Sequence, residues 1–127
     1  MNIYTIAVFG EAEKGEYRTA YYCKTLQQLV EYLGNPPGGS KGLHYAVQAL
    51  MYERDLIFFR VQEEGFSLQD YKFGMNLLFT QHAITKISAI CMPGIGNREI
   101  IKATNTLCVL YNSVFITSEA DFYDYLT

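Results

Sequence analysis

Apolar residues recur along this chain in two rhythms: short β-branched or aromatic runs, and longer stripes spaced at three and four. The run 2–9, NIYTIAVF, closed by Gly10, reads as a first strand. A polar loop, GEAEKGEYRT, follows it. Thr25 and Gln28 then form a capping box, and Leu26, Leu29, Val30 and Leu33 make a helical stripe ended by Gly34. After the broken segment GNPPGGS, Ser40 is the expected cap of a helix reaching Glu53, with Leu43, Ala46, Val47, Leu50 and Met51 on one face.

The second half repeats the alternation more regularly. DLIFFRVQ, 55–62, is a strand whose unbroken apolar middle implies burial on both faces. Ser67 and Asp70 open a helix to Thr80 with Leu68, Tyr71, Met75 and Leu78 inward. KISAIC, 86–91, is a third strand. Asn97 caps a helix whose Ile100, Thr104, Leu107, Cys108 and Tyr111 share a face. VFIT, 114–117, is a fourth strand, and Ser118 with Asp121 starts a last helix. Strands separated by such helices pair in parallel through right-handed crossovers. The expectation is one three-layer, Rossmann-like α/β domain over 1–127, with a short, mainly parallel sheet of about four strands.

Composition agrees with an ordinary globule, at 50% hydrophobic and 18% charged residues. Ten Lys and Arg against 13 Asp and Glu give a formal charge of −3, and no basic patch points to nucleic acid. No apolar run is long enough for a membrane span and no signal peptide is recognised, so a cytoplasmic protein is expected. Three scattered cysteines make neither a disulfide framework nor a CxxC motif. Cys91 and Cys108 read as inert core, and Cys23, beside Lys24, as a more accessible thiol.

In a parallel sheet, ligands bind beyond the carboxyl ends of the strands. The third such loop holds MPGIGNRE, where Gly94 and Gly96 permit close backbone approach and Asn97 and Arg98 open a helix, a pattern suited to an anion. Glu99 stands where a dinucleotide fingerprint needs its third glycine, and no Gly-Lys-Ser/Thr of a P-loop follows. Glu11, Glu13, Glu63 and Glu64 crowd the other two loops. They could serve a divalent cation or acid/base chemistry, and otherwise make a solvated acidic face. His44 and His82 lack a partner at short spacing and read as surface or capping groups. No catalytic residue, metal set or cofactor is assigned.

Tyrosine is in surplus, at 11 residues with no Trp, and clusters in EYRTAYY and DFYDYLT. Tyrosine is enriched at protein interfaces. Tyr17, Tyr21, Tyr22, Tyr123 and Tyr125 are therefore candidate contact residues. Arg60, inside an apolar strand, must pair or reach the strand's end, which makes it a candidate for a loop carboxylate or a subunit contact.

Two blocks carry a family resemblance. Residues 8–61, from VFGEAEKGEY through TLQQLVEYLG and HYAVQAL to IFFRV, and residues 69–117, through the turn CMPGIGNRE to VFIT, resemble the core domain of contractile tail-sheath proteins. The resemblance implies a non-enzymatic protein that associates with itself or another protein. The chain departs from that family in lacking the extended arms by which sheath subunits add strands to neighbours, and in having Ser118-Glu119 where the family has an aspartate. The competing expectation is a small-molecule or anion-binding α/β enzyme using the crevice near Gly94 to Arg98.

Overall fold

Strand β1 (Thr5–Gly10) is buried along its whole length because it is the centre of the sheet, flanked on both sides by parallel strands. In the computed structural model, which describes residues 5–80 and 86–127, the sheet has five strands in the order β2-β3-β1-β4-β5. β3 (Asp55–Arg60), β4 (Ile87–Cys91) and β5 (Val114–Ile116) run parallel to β1 in this order, as the periodicity predicts. Residues 2–4 of the expected first strand, and His82, lie outside the described residues.

The fifth strand corrects the expected four. β2 (Ala20–Cys23) pairs antiparallel with β3, Tyr21 opposite Phe58, inside the segment read as polar loop and tyrosine cluster. Its alternation places Tyr21 and Cys23 on one face of the sheet and Ala20 on the other. Cys23 is consequently fully buried rather than accessible, and burial pushes its thiol up to about 11.

Helices cover both faces. α1 (Leu26–Leu33), α2 (Gly42–Met51) and α5 (Glu119–Leu126) pack on the face made by Ile6, Val8, Leu56, Phe58 and Ile116. α3 (Leu68–Thr80) and α4 (Arg98–Leu110) pack on Ala7, Phe9, Ile57, Phe59 and Ile90. Neighbouring residues of one strand thus feed two cores, which is why the middle of β3 is continuously apolar. Each fully buried Leu, Ile or Phe contributes about 1.5–3 kcal/mol. The α1 stripe is only half inward: Leu29 and Leu33 are buried, but Leu26 and Val30 are exposed. α1 lies over the edge strand β2 and beside α2, so only one edge of its stripe finds a partner.

From β1 the chain passes by way of the edge strand β2 to β3 on one side, and the connection from β3 crosses back to β4 on the other. The direction therefore reverses at β1 and β4, and the loops at their carboxyl ends part there to leave a crevice.

Candidate functional site

The crevice is built around a carboxylate belonging to the protein itself. Lys41, at the N-cap of α2, offers no side-chain acceptor to the free amides of the first turn. Glu64, from the β3–α3 loop, supplies one: its carboxylate accepts from Lys41 N at 2.7 Å and from Gly42 N at 3.1–3.2 Å. It also accepts from Glu11 N at 3.0 Å, while Glu11 accepts in return from Glu64 N at 2.9 Å. The positive end of the α2 dipole thus faces a resident anion. Ser40, the expected cap, instead donates its hydroxyl to the carbonyl of Pro37.

This arrangement needs close backbone contact. A Cβ on Gly42 would lie 2.7 Å from the Cα of Gly10, at the end of β1, and 3.1 Å from the Glu64 carboxylate. Neither backbone can retreat without disturbing the sheet, so glycine is required there. Sequence reading missed the cap because its acceptor comes from another loop. The available signal was Lys41-Gly42, a helix start without an acceptor.

The MPGIGNRE turn has its own local solution. Asn97 caps α4 by accepting from Ile100 N at 3.0 Å, and Glu99 pairs with Lys72 at 3.2 Å. Gly94, at φ +79°, packs against Gly65 and borders a cavity of about 480 Å³ with Glu11, Glu63, Glu64, Lys41 and Phe66. Gly96, Asn97 and Arg98 do not line that cavity. Glu13 points elsewhere, accepting from Asn35 N at 2.9 Å. Of the four glutamates, Glu11, Glu63 and Glu64 come together and Glu13 does not.

A second cavity of about 640 Å³ runs between α2 and α5, bordered by His44, Tyr45, Phe122 and Tyr123. The rings of Tyr45 and Phe122 stack at 4.7 Å. Gly39 and Lys41 border both cavities, so the two lie on either side of this turn.

The tyrosines occupy two separate regions. At the outer edge, Tyr17 and Tyr22 are exposed, whereas the Tyr21 hydroxyl accepts from Glu16 N at 2.6 Å and its ring meets Tyr32. On α5, Tyr123 is exposed and Tyr125 shares a hydrogen bond with Ser88 at 2.6 Å. Arg60 reaches the end of its strand and meets no loop carboxylate among the described residues. Its guanidinium donates to the carbonyls of Gly15 and Ala12 and to the Tyr17 hydroxyl, and stacks 4.1 Å from the Tyr17 ring centroid. Carbonyls suffice because the β1–β2 loop folds back over the end of β3.

The same edge is held by an ion pair. Arg18 Nε donates to buried Asp70 at 2.9 Å, and Asp70 also accepts from Gln62 N at 2.9 Å. Burial raises the Asp70 carboxyl, but the donors Gln62, Arg18 and Ser67 outweigh it and hold it below the ordinary carboxylate range. The remaining thiols are core groups: burial raises Cys91, and pushes Cys108 up to about 11.

Among the described residues, no group of three or more His, Cys, Asp or Glu is placed to hold a metal, and no helix is long and apolar enough to cross a membrane. No protein-family model matches the chain, and neither a curated protein nor a solved structure matches it.

Proposed function

We propose that this protein works by association, pairing through the outer edge of β2 with Tyr17 and Tyr22 as the contact aromatics. One observation carries the reading. Among the described residues no strand pairs with the outer side of β2, and Tyr17 and Tyr22 stand 46% and 44% exposed beside it. An open strand edge is a template for another strand, and exposed tyrosine adds contact area at low entropic cost. Arg60 and the Arg18–Asp70 pair support the reading, since they hold the loop leading into β2 and so reduce the ordering cost of docking. A second copy would extend the sheet across the contact; β2 against β2 closes a dimer, whereas sheath-like rings or tubes would need the β2 edge to meet a different surface of the next copy, such as its β5 edge. The buried, unpaired thiols support a cytoplasmic setting.

Light scattering over a concentration series tests the proposal. The wild type is expected to gain mass with concentration and the Tyr17→Ala/Tyr22→Ala variant to remain a single chain. The Tyr123→Ala/Tyr125→Ala variant tests whether α5 takes part. A single-chain mass for the wild type throughout removes self-association. Retention of a foreign partner by the Tyr17/Tyr22 variant removes the β2 edge altogether.

The second reading, an anion- or small-molecule-binding enzyme near Gly94 to Arg98, has a cavity at the reversal point in its favour. Against it, Glu64 and Asn97 already satisfy the two helix N-termini that would receive the anion.

A further inference from the structure

The outer edge of β2 carries a ring and a cation two residues apart. Alternation puts Tyr22 on the face of Ala20, away from Tyr21 and Cys23, and continues that face to Lys24. Tyr22 and Lys24 are both exposed. Tyr21 is already engaged on the other face, its hydroxyl by the Glu16 amide and its ring by Tyr32.

A strand meets a second copy of itself antiparallel about a two-fold axis normal to the sheet. Such an axis keeps each face on its own side, so it must pass through a residue that stands opposite its own copy. β2 has two central residues, Tyr21 and Tyr22. An axis through Tyr21 sets two packed rings against each other and places Lys24 directly opposite the partner's Arg18, where like charges repel. An axis through Tyr22 brings the two exposed rings together, with Tyr21 opposite the partner's Cys23 and Lys24 opposite the partner's Ala20. Lys24 then lies diagonal to the partner's Tyr22, within reach of a long side chain. Symmetry makes this cation–ring contact twice. The edge is thus complementary to itself in charge and in shape. The β5 edge matches it less well: it is three residues long, its Phe115 is half-buried, and no charged residue stands between Ala103 and Ser118.

Resting on the association at β2 put forward above, we propose that the occupant of that edge is a second copy of this chain. Its β2 runs antiparallel about a two-fold axis through Tyr22, and Lys24 of each copy stacks on the partner's Tyr22. The two sheets become one of ten strands, five from each copy. The assembly is a closed dimer that does not grow into a tube.

Mild oxidation of a Tyr22→Cys variant tests the register, because opposite residues lie about 4.5–5.5 Å apart between Cα atoms, within the span of a disulfide. A covalent dimer is expected from this variant and none from the wild type, whose three cysteines are buried. In light scattering, Lys24→Gln should weaken association about fivefold, and Tyr22→Phe, which keeps the ring, should associate as the wild type does. Tighter association in Lys24→Gln overturns the proposal, since the axis through Tyr21 is the one that this charge opposes. Mass that rises with concentration while Tyr22→Cys forms no disulfide also overturns it, yet leaves association itself standing. A single-chain mass for the wild type at every concentration removes both.

Discussion

Helices α2 and α4 both begin at the carboxyl edge of the sheet, and each needs an acceptor for its free amides. α4 takes its acceptor from Asn97, the residue that starts it. α2 takes its acceptor from Glu64, which also holds the amide of Glu11 at the end of β1. A local cap stabilises one helix. A remote cap stabilises the junction of a helix and two loops, so its loss should spread beyond the helix it serves.

Substitutions can break that comparison, beginning with the most severe. Gly42→Ala places a Cβ 2.7 Å from the Gly10 Cα and 3.1 Å from the Glu64 carboxylate, so backbone overlap and a disturbed cap act together. A net loss of roughly 3 kcal/mol is expected in urea unfolding, despite the better helix propensity of alanine. Gly96→Ala, with open space around it, should be close to neutral, and equal losses at the two glycines would refute the packing argument. Glu64→Ala should cost roughly 2 kcal/mol, because three amides lose a charged acceptor. Hydrogen exchange should then quicken at Glu11 as well as at Lys41 and Gly42; a change confined to α2 would mean that the cap is local after all.

Asn97→Ala should cost about 1 kcal/mol, with faster exchange limited to the first turn of α4. The smallest effect is a pH dependence at the start of α3. Asp70 has a folded pKa below its unfolded value of about 3.9, so its contribution is complete above that value and is lost as pH falls through the folded one. Asp70→Asn should flatten the acid limb of a stability-against-pH curve below about pH 4. An unchanged limb would show that Arg18 and Gln62 do not favour the charged form.

The same division between local and remote determines what was legible in the sequence. The Thr25–Gln28 box, Asn97 and Ser118 were read correctly because each donor and acceptor lie within three residues. The inward faces of β3 and α3 were legible because periodicity survives whatever packs on them. β2 was hidden because its four residues follow a polar loop and become a strand only beside β3. The placement of Cys23 followed from that strand, and Lys24 beside it was misleading. At the site, sequence placed acidic loops at the strand ends, but not the reciprocal bonds of Glu11 and Glu64, nor the burial of Tyr45 beneath α5. Those depend on the separation of elements in space, which no short window of residues contains.

The central position of β1 has a consequence for synthesis. β1 leaves the ribosome before both of its neighbours, since Thr5 pairs with Asp55 on one side and Ile87 on the other. Until β4 has been made, one side of this fully buried central strand has no lasting partner, so the nascent chain carries an aggregation hazard between the synthesis of β1 and that of β4. Slow translation between β3 and β4 would lengthen that exposure, and a chaperone that holds the emerging 5–10 segment would shorten it.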